Sequence, residues 1–279
     1  MISLLKASVL LALAAATPGS SQITYNYRMF HDFRGLDAPT TEPARITNDA
    51  ESAAATVQEG YLTDALFTND WGVQTWGSPV SADAPYRKQY SNGNVYIQHD
   101  AESDQSHLIL RATRNTDFIS SGEIDTKLTN ILHASINVRA RVRGDAGACA
   151  GIFTYFNSSN ESDIEILTRD PTNIIRYTNQ PGLDADDNEI PGASVAAEML
   201  NGATWTEWHT HRLDWTPDLS SWYLDGELAH TKTYGIPRVP STIILNMWGD
   251  GGPLWTGEMA IGAAAYLEIE YIEIYYNTA

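Results

Sequence analysis

The run Glu161-Ser162-Asp163-Ile164-Glu165-Ile166-Leu167 sets a carboxylate at every second position of an otherwise apolar stretch. Side chains alternate across a β-strand, so Glu161, Asp163 and Glu165 share one face, and Ile164 and Ile166 the other. The segment therefore reads as a strand with an acidic face and a buried face. Such alternation suits a solvated strand of an antiparallel sheet. It equally suits carboxylates gathered for chemistry, since like charges at alternate positions repel and no Lys or Arg follows before Arg169. Both readings stand on these residues alone, and the flanking sequence has to decide between them.

As chemistry, the pattern fits cleavage of a glycosidic bond, which takes one carboxylate and one carboxylic acid flanking the bond. On a flat strand the α-carbons of Glu161 and Glu165 would lie roughly 13 Å apart. Two glutamate arms leaning inward on a concave sheet close that gap to about 5–5.5 Å, the spacing of a retaining mechanism. A third carboxylate between them raises at least one pKa by repulsion and helps Glu165 hold its proton.

The remainder of the chain reads as mostly β. Short β-branched or aromatic runs, broken by Gly, Pro, Asn and Asp, recur at 94–98, 107–113, 135–142, 151–156, 162–168, 174–179, 209–215, 220–226, 242–248 and 267–276. Ten or more strands imply two packed sheets. Only ASVAAEML has helical character, as a helix or an irregular lid, and residues 40–60 read as an extended surface segment. One domain over 21–279 is expected for an all-β chain of this length.

Residues 1–20, MISLLKASVLLALAAATPGS, carry a basic start at Lys6, an apolar run and small residues, and read as a secretory signal peptide. The apolar run is shorter than the ~20 residues a membrane helix needs, and the alternating C-terminal residues do not signal a lipid anchor. We expect an exported monomer. Cys149, the single cysteine, reads as a buried inert thiol and excludes an intramolecular disulfide. A formal charge of −18 argues against nucleic acid and anionic membranes as partners. Eight Trp and 14 Tyr supply faces on which sugar rings stack, though most are core by default. Asn157-Ser158-Ser159 and Asn160-Glu161-Ser162 both fit the glycan-acceptor pattern; Asn157, in a turn, is favoured over Asn160 beside the acids.

Five stretches in order along the chain settle the choice. Glu161-Ser162-Asp163-Ile164-Glu165 resembles the E-x-D-x-E signature of glycoside hydrolase family 16, the laminarinase, lichenase and xyloglucan or cell-wall transglycosylase group. GDAGACAGIFTYFNSS resembles the strand and turn before it, particularly in the plant and fungal transglycosylase branches. WHTHRLDWTPDLSSWYLDGE is similar to the family's W-x-P-D segment and the D-G strand after it; TIILNMWGDGGPLWTG resembles its Trp-containing cleft strand and LEIEYIEIYY its closing strand. The resemblance covers about residues 110–276. It implies a secreted, fungal-type β-jelly-roll sandwich of the concanavalin A-like lectin/glucanase type, two antiparallel sheets with a concave cleft, acting on a β-linked glucan polysaccharide or oligosaccharide.

Carried over residue by residue, the resemblance implies Glu161 as nucleophile, Glu165 as acid/base and Asp163 between them. Asn179, Trp248 and Trp255 would contact substrate, with Tyr155, Arg176 and Gln180 added by strand parity. Trp71 and Trp76 suit either a subsite or the core, and His133 stands where the family often has an aromatic. Ser162 replaces the usual aliphatic residue, so the layer behind Glu161 should be looser or hydrogen-bonded. The family's frequent upstream Trp is absent, which suggests a different donor side. No cofactor is implied beyond a structural calcium in some members, for which Glu270 stands where an Asp is common. Hydrolysis leads, transglycosylation by the same glutamates follows, and a lectin-like sandwich that binds without cutting is the rival from another class.

Overall fold

The computed structural model describes residues 23–186 and 188–279. The leader read from residues 1–20 lies outside the described residues. Two curved sheets face each other. The first runs, edge to edge, Ser194–Glu198, Ile174–Asn179, Asn160–Leu167, Cys149–Asn157, Thr242–Trp248, Phe118–Thr126 and Trp71–Val73, every pair antiparallel. The second runs Glu227–Lys232, Ser220–Leu224, His209–Trp215, Ile131–Gly144 and Ala264–Thr278. The long closing strand Ala264–Thr278 then pairs with Gln105–Arg114 along its first half and Tyr27–Asp32 along its second.

The sheets are not separate. Phe118–Thr126 pairs through its first residues with Arg87–Tyr90, in parallel, and with Gln105–Arg114, then passes into the first sheet to pair with Thr242–Trp248. Gly122 marks the crossing: a Cβ there would meet the Asn94 carbonyl oxygen at 2.5 Å, so only glycine lets the backbones approach this closely.

Between the sheets lies one core. Ile152, Ile164, Ile166, Ile243, Leu245 and Met247 from the first sheet meet Ile136, Val138, Leu213, Trp215, Trp222, Leu267 and Ile274 from the second, all buried. The alternation in the acid strand is thus half explained, because Ile164 and Ile166 are that strand's contribution to the core. At roughly 25 cal/mol per Å² of apolar surface buried, each such side chain favours this register by about 1.5–3 kcal/mol, and a one-residue slip would forfeit it.

ASVAAEML departs from expectation. Ser194–Glu198 is the edge strand of the first sheet, and the chain then makes a single 3-10 turn at Leu200–Gly202. Pairing with Ile174–Asn179 overrides the helical preference of its alanines. Within residues 40–60 the surface segment carries one short helix, Asp49–Ala54, capped by the Asn48 side chain on Glu51 N–H. Arg111, buried between strands, holds this segment to the sheet by donating to Glu42 and to the carbonyls of Pro43 and Ala44. Glu270 accepts from Arg139 at 2.7 Å.

Candidate active site

Strand register assembles the site. Glu161 lies opposite Tyr155, Asp163 opposite Phe153 and Thr178, and Glu165 opposite Gly151 and Arg176. One strand further, Thr242, Ile244 and Asn246 stand across from Tyr155, Phe153 and Gly151, and beyond them Asp125 and Glu123 stand across from Ile244 and Asn246. With a side-chain period of two, this whole set shares the face turned away from the core. A bulge after Asn160 leaves Phe156 unpaired and bends the strand where Glu161 emerges. Gly151 keeps the floor open between Glu165 and Asn246, since a Cβ would come within 2.6 Å of Asn246 Oδ1.

The three acids sit in different surroundings. Asp163 is 2 % exposed, and neither carboxyl oxygen finds a donor among the described residues in its unprotonated form. Burial, then the charges of Glu161 and Glu165, push its pKa well up, and a side-chain hydrogen bond shared with Glu161 acts in the same direction. Glu161 is pushed up to about 7, chiefly by burial, with the Asp163 bond pulling it down and the Glu165 charge pushing it up. Glu165 is also raised by burial, against hydrogen bonds from Trp255 and Cys149 and the charge of Arg176. Trp255 Nε1 donates to Glu165 Oε1 at 3.0 Å, and the Cys149 thiol reaches the same oxygen at 3.5 Å. Arg176 is anchored to Asp170 at 2.9 Å, and its guanidinium lies 5.0 Å from the Trp255 ring centre.

From the opposite sheet, Trp222 Nε1 donates to the Asp163 carbonyl at 2.9 Å and pins the acid strand at its central residue. Behind Glu161, Ser162 Oγ donates to Asn179 Oδ1 at 2.6 Å, while Asn179 Nδ2 donates to Ser220 Oγ and the Tyr234 carbonyl. The layer behind Glu161 is therefore hydrogen-bonded, one of the two arrangements expected from serine at that position.

This network corrects the placement of Asn179. Opposite Ser162 in register, it faces the interior, is fully buried, and cannot touch a ligand in the cleft. Tyr155, Arg176, Trp248 and Trp255 do line the acid-bearing face or its rim. Gln180 lies just past its strand, where its side-chain oxygen accepts from Gly182 N–H and closes a turn. Trp71 is core, Trp76 is half exposed at the rim, and His133 packs edge-on against Trp215.

The structure adds a second acidic pair, Glu123 and Asp125, to the same face. Glu123 accepts from Trp76 Nε1 at 2.6 Å and from Asn246 Nδ2 at 2.9 Å. The Lys88 ammonium lies 4.3 Å from the Trp248 ring centre, with Trp76 and Tyr90 also around it. Burial and then the Glu123 charge push Asp125 up to about 8. The alternation Glu123-Ile124-Asp125 was the available signal, but Ser120, Ser121 and Gly122 before it have the composition of a turn.

Comparison with known proteins agrees with this geometry. The sequence model of "Glycosyl hydrolases family 16" matches residues 83–272. A beta-glucanase of Paenibacillus polymyxa is 27 % identical over 209 residues, covering 66 % of this chain and 84 % of that one. Crh-like protein 2 of Aspergillus fumigatus is 28 % identical over 160 residues, 53 % of this chain and 34 % of that one. Among solved structures, a Bacillus licheniformis beta-glucanase superposes with a TM-score of 0.58 at 22 % identity, covering 76 % of this chain and 94 % of that one. The laminarinase catalytic domain of Thermotoga maritima superposes at 0.59 and 18 % identity, covering 79 % and 96 %. With its jelly-roll sandwich and its row of acids on the open face of one sheet, this chain belongs to glycosyl hydrolases family 16 and is a glycosidase.

Proposed function

We propose that the protein is an exported endo-β-glucanase that cleaves a β-1,3 or mixed β-1,3/1,4 glucan with retention of configuration. The observation that carries this is the row of Glu161, Asp163 and Glu165 on one strand face, with Trp255 and Cys149 donating to Glu165 beside it. The hydrogen bond with Asp163 pulls the Glu161 carboxyl down, against the burial that raises it to about 7. Burial raises the Glu165 carboxyl, which suits the residue that has to give a proton as acid. In the first step Glu161 attacks the anomeric carbon while Glu165 gives its proton to the departing sugar oxygen. In the second, Glu165 takes a proton from water, the hydroxide oxygen bonds to the anomeric carbon, and Glu161 leaves as carboxylate. Tyr155, Trp248, Trp255 and Trp76 would hold sugar rings along the groove, with Arg176 beside the acid/base. The beta-glucanase and laminarinase relatives support the substrate class. Asn157, exposed at the tip of the hairpin and with no partner for its amide nitrogen among the described residues, would accept a glycan if the chain is exported; the amide of Asn160 is engaged with Asn157 and the Arg238 N–H.

A second reading, transfer to a sugar hydroxyl in place of water, is favoured by the match to the Crh-like protein. The test is a panel of laminarin, mixed-linkage glucan, xyloglucan, chitin and galactan, with and without an acceptor oligosaccharide. Release of β-anomeric reducing ends from the glucans, abolished in Glu161→Ala and Glu165→Ala, is expected. Chain lengthening without net reducing ends would replace hydrolysis with transfer. An α-anomer formed first, or full activity in Glu161→Ala, would overturn the mechanism.

A further inference from the structure

We propose that Cys149 is a positioning residue which, with Trp255, occupies Glu165 Oε1 and so assigns the catalytic proton to Glu165 Oε2. This rests on the acid/base reading of Glu165. A carboxyl oxygen offers two in-plane lone pairs. On Oε1 both have a donor, the Trp255 indole at 3.0 Å and the Cys149 thiol at 3.5 Å. A proton on Oε1 would have to displace one of them. Oε2 has no hydrogen-bond partner among the described residues, so it carries the proton and meets the glycosidic oxygen.

Strand geometry makes the thiol a fixed part of this arrangement. Cys149 shares strand parity with Gly151, Phe153 and Tyr155, which puts it on the acid-bearing face, and it pairs with Leu167 on one side and Trp248 on the other. It is completely buried. Its other acceptor within reach, the Ala150 carbonyl, is more distant at 3.7 Å and uncharged. Burial and the Glu165 charge both push the thiol pKa well up, so it stays S–H and remains a donor throughout the range in which a carboxyl acid works. An aliphatic residue would fill the same space but leave Oε1 with one donor. The thiol thus favours the ionised form of Glu165, the form required when the covalent intermediate is resolved.

Two measurements test this. The chain has one cysteine, so its infrared S–H stretching band is a unique probe that needs no substrate. A band shifted to low frequency, which moves as Glu165 titrates and returns to the free-thiol position in Glu165→Ala, is expected; a band indifferent to both would overturn the proposal. In kinetics, Cys149→Val, close in volume but without a donor, should move the alkaline limb of kcat/KM upward by about half a unit to one unit, the effect of one lost hydrogen bond from a weak S–H donor. Cys149→Ser should keep the limb near its original place. A limb unchanged in Cys149→Val, or displaced equally in both variants, would show that the residue only packs. If the unmodified protein cut none of the glucans while its S–H band still followed Glu165, the hydrogen bond would stand and the glycosidase chemistry would be what failed.

Discussion

At the scale of single residues, the proposed chemistry turns on how protons are shared among three carboxyls on one strand face. Among the described residues Asp163 finds no donor for either oxygen, which together with burial favours its protonated form, and its side chain shares a hydrogen bond with Glu161. An amide in its place keeps a donor and remains neutral. Asp163→Asn should therefore retain most of the turnover, whereas Asp163→Ala should lose on the order of 10²-fold in kcat, the usual cost of a positioned donor. Steady-state kinetics on one glucan checks both, and equal losses would show that Asp163 acts through its charge. Burial also has a cost in stability. Glu161 is raised to about 7 from 4.5, so between those pH values the folded state binds the extra proton and stability falls as pH rises. Glu161→Gln should then raise the melting temperature at pH 7, while abolishing turnover; thermal scans at pH 5 and pH 7 should show the gain only at the higher value.

At the scale of elements, the acid strand is held from behind. Trp222, in the strand Ser220–Leu224 of the facing sheet, donates its indole N–H to the Asp163 carbonyl, fixing the height of the strand at the residue between the two glutamates. Trp222→Phe leaves that carbonyl buried and short of a donor, a loss of about 1–3 kcal/mol. Trp215 makes a comparable bond to the Pro237 carbonyl, away from the acids. Chemical denaturation should show similar destabilisation in Trp222→Phe and Trp215→Phe, with kcat falling clearly only in the former. Ser162 acts in the same layer: Ser162→Ala removes the hydroxyl that donates to Asn179 Oδ1 and should also cost about 1–3 kcal/mol. Strand parity explains what could be read of this layer. The alternation of acids and isoleucines tells which face Glu161 takes, but not which face Asn179 takes, because its register against Ser162 depends on how two strands distant by a turn align.

At the scale of the whole molecule, buried titratable groups oppose one another across neutral pH. Burial depresses His211 to about 4 from 6.5, which makes stability rise with pH through that window. Asp125, raised from 3.8 to about 8, and Glu161, raised to about 7, act in the other direction. Above about 6.5 the histidine contribution is complete, so the carboxyls alone remain and the melting temperature should decline between pH 6.5 and 8. Asp125→Asn should flatten that decline, and a melting temperature that rises through the window would contradict it.

Residue patterns alone were enough for the all-β class, the acidic face of Asn160–Leu167 and most of the central strands, because each is a local statement about alternation and β-branching; the jelly-roll class followed from the resemblance of the ordered motifs to a family. The sequence did not determine Phe118–Thr126, whose Ser-Ser-Gly passage looks like a turn until one sees two backbones crossing at Gly122. Nor did it determine that ASVAAEML adds an edge strand, or that Cys149 and Trp255 meet on one oxygen of Glu165. Those facts arise from contacts between residues far apart in the chain. Only the pairing of strands and the packing of one sheet on the other bring such residues within hydrogen-bonding distance, and local patterns of hydrophobicity carry no record of which partner each strand will take.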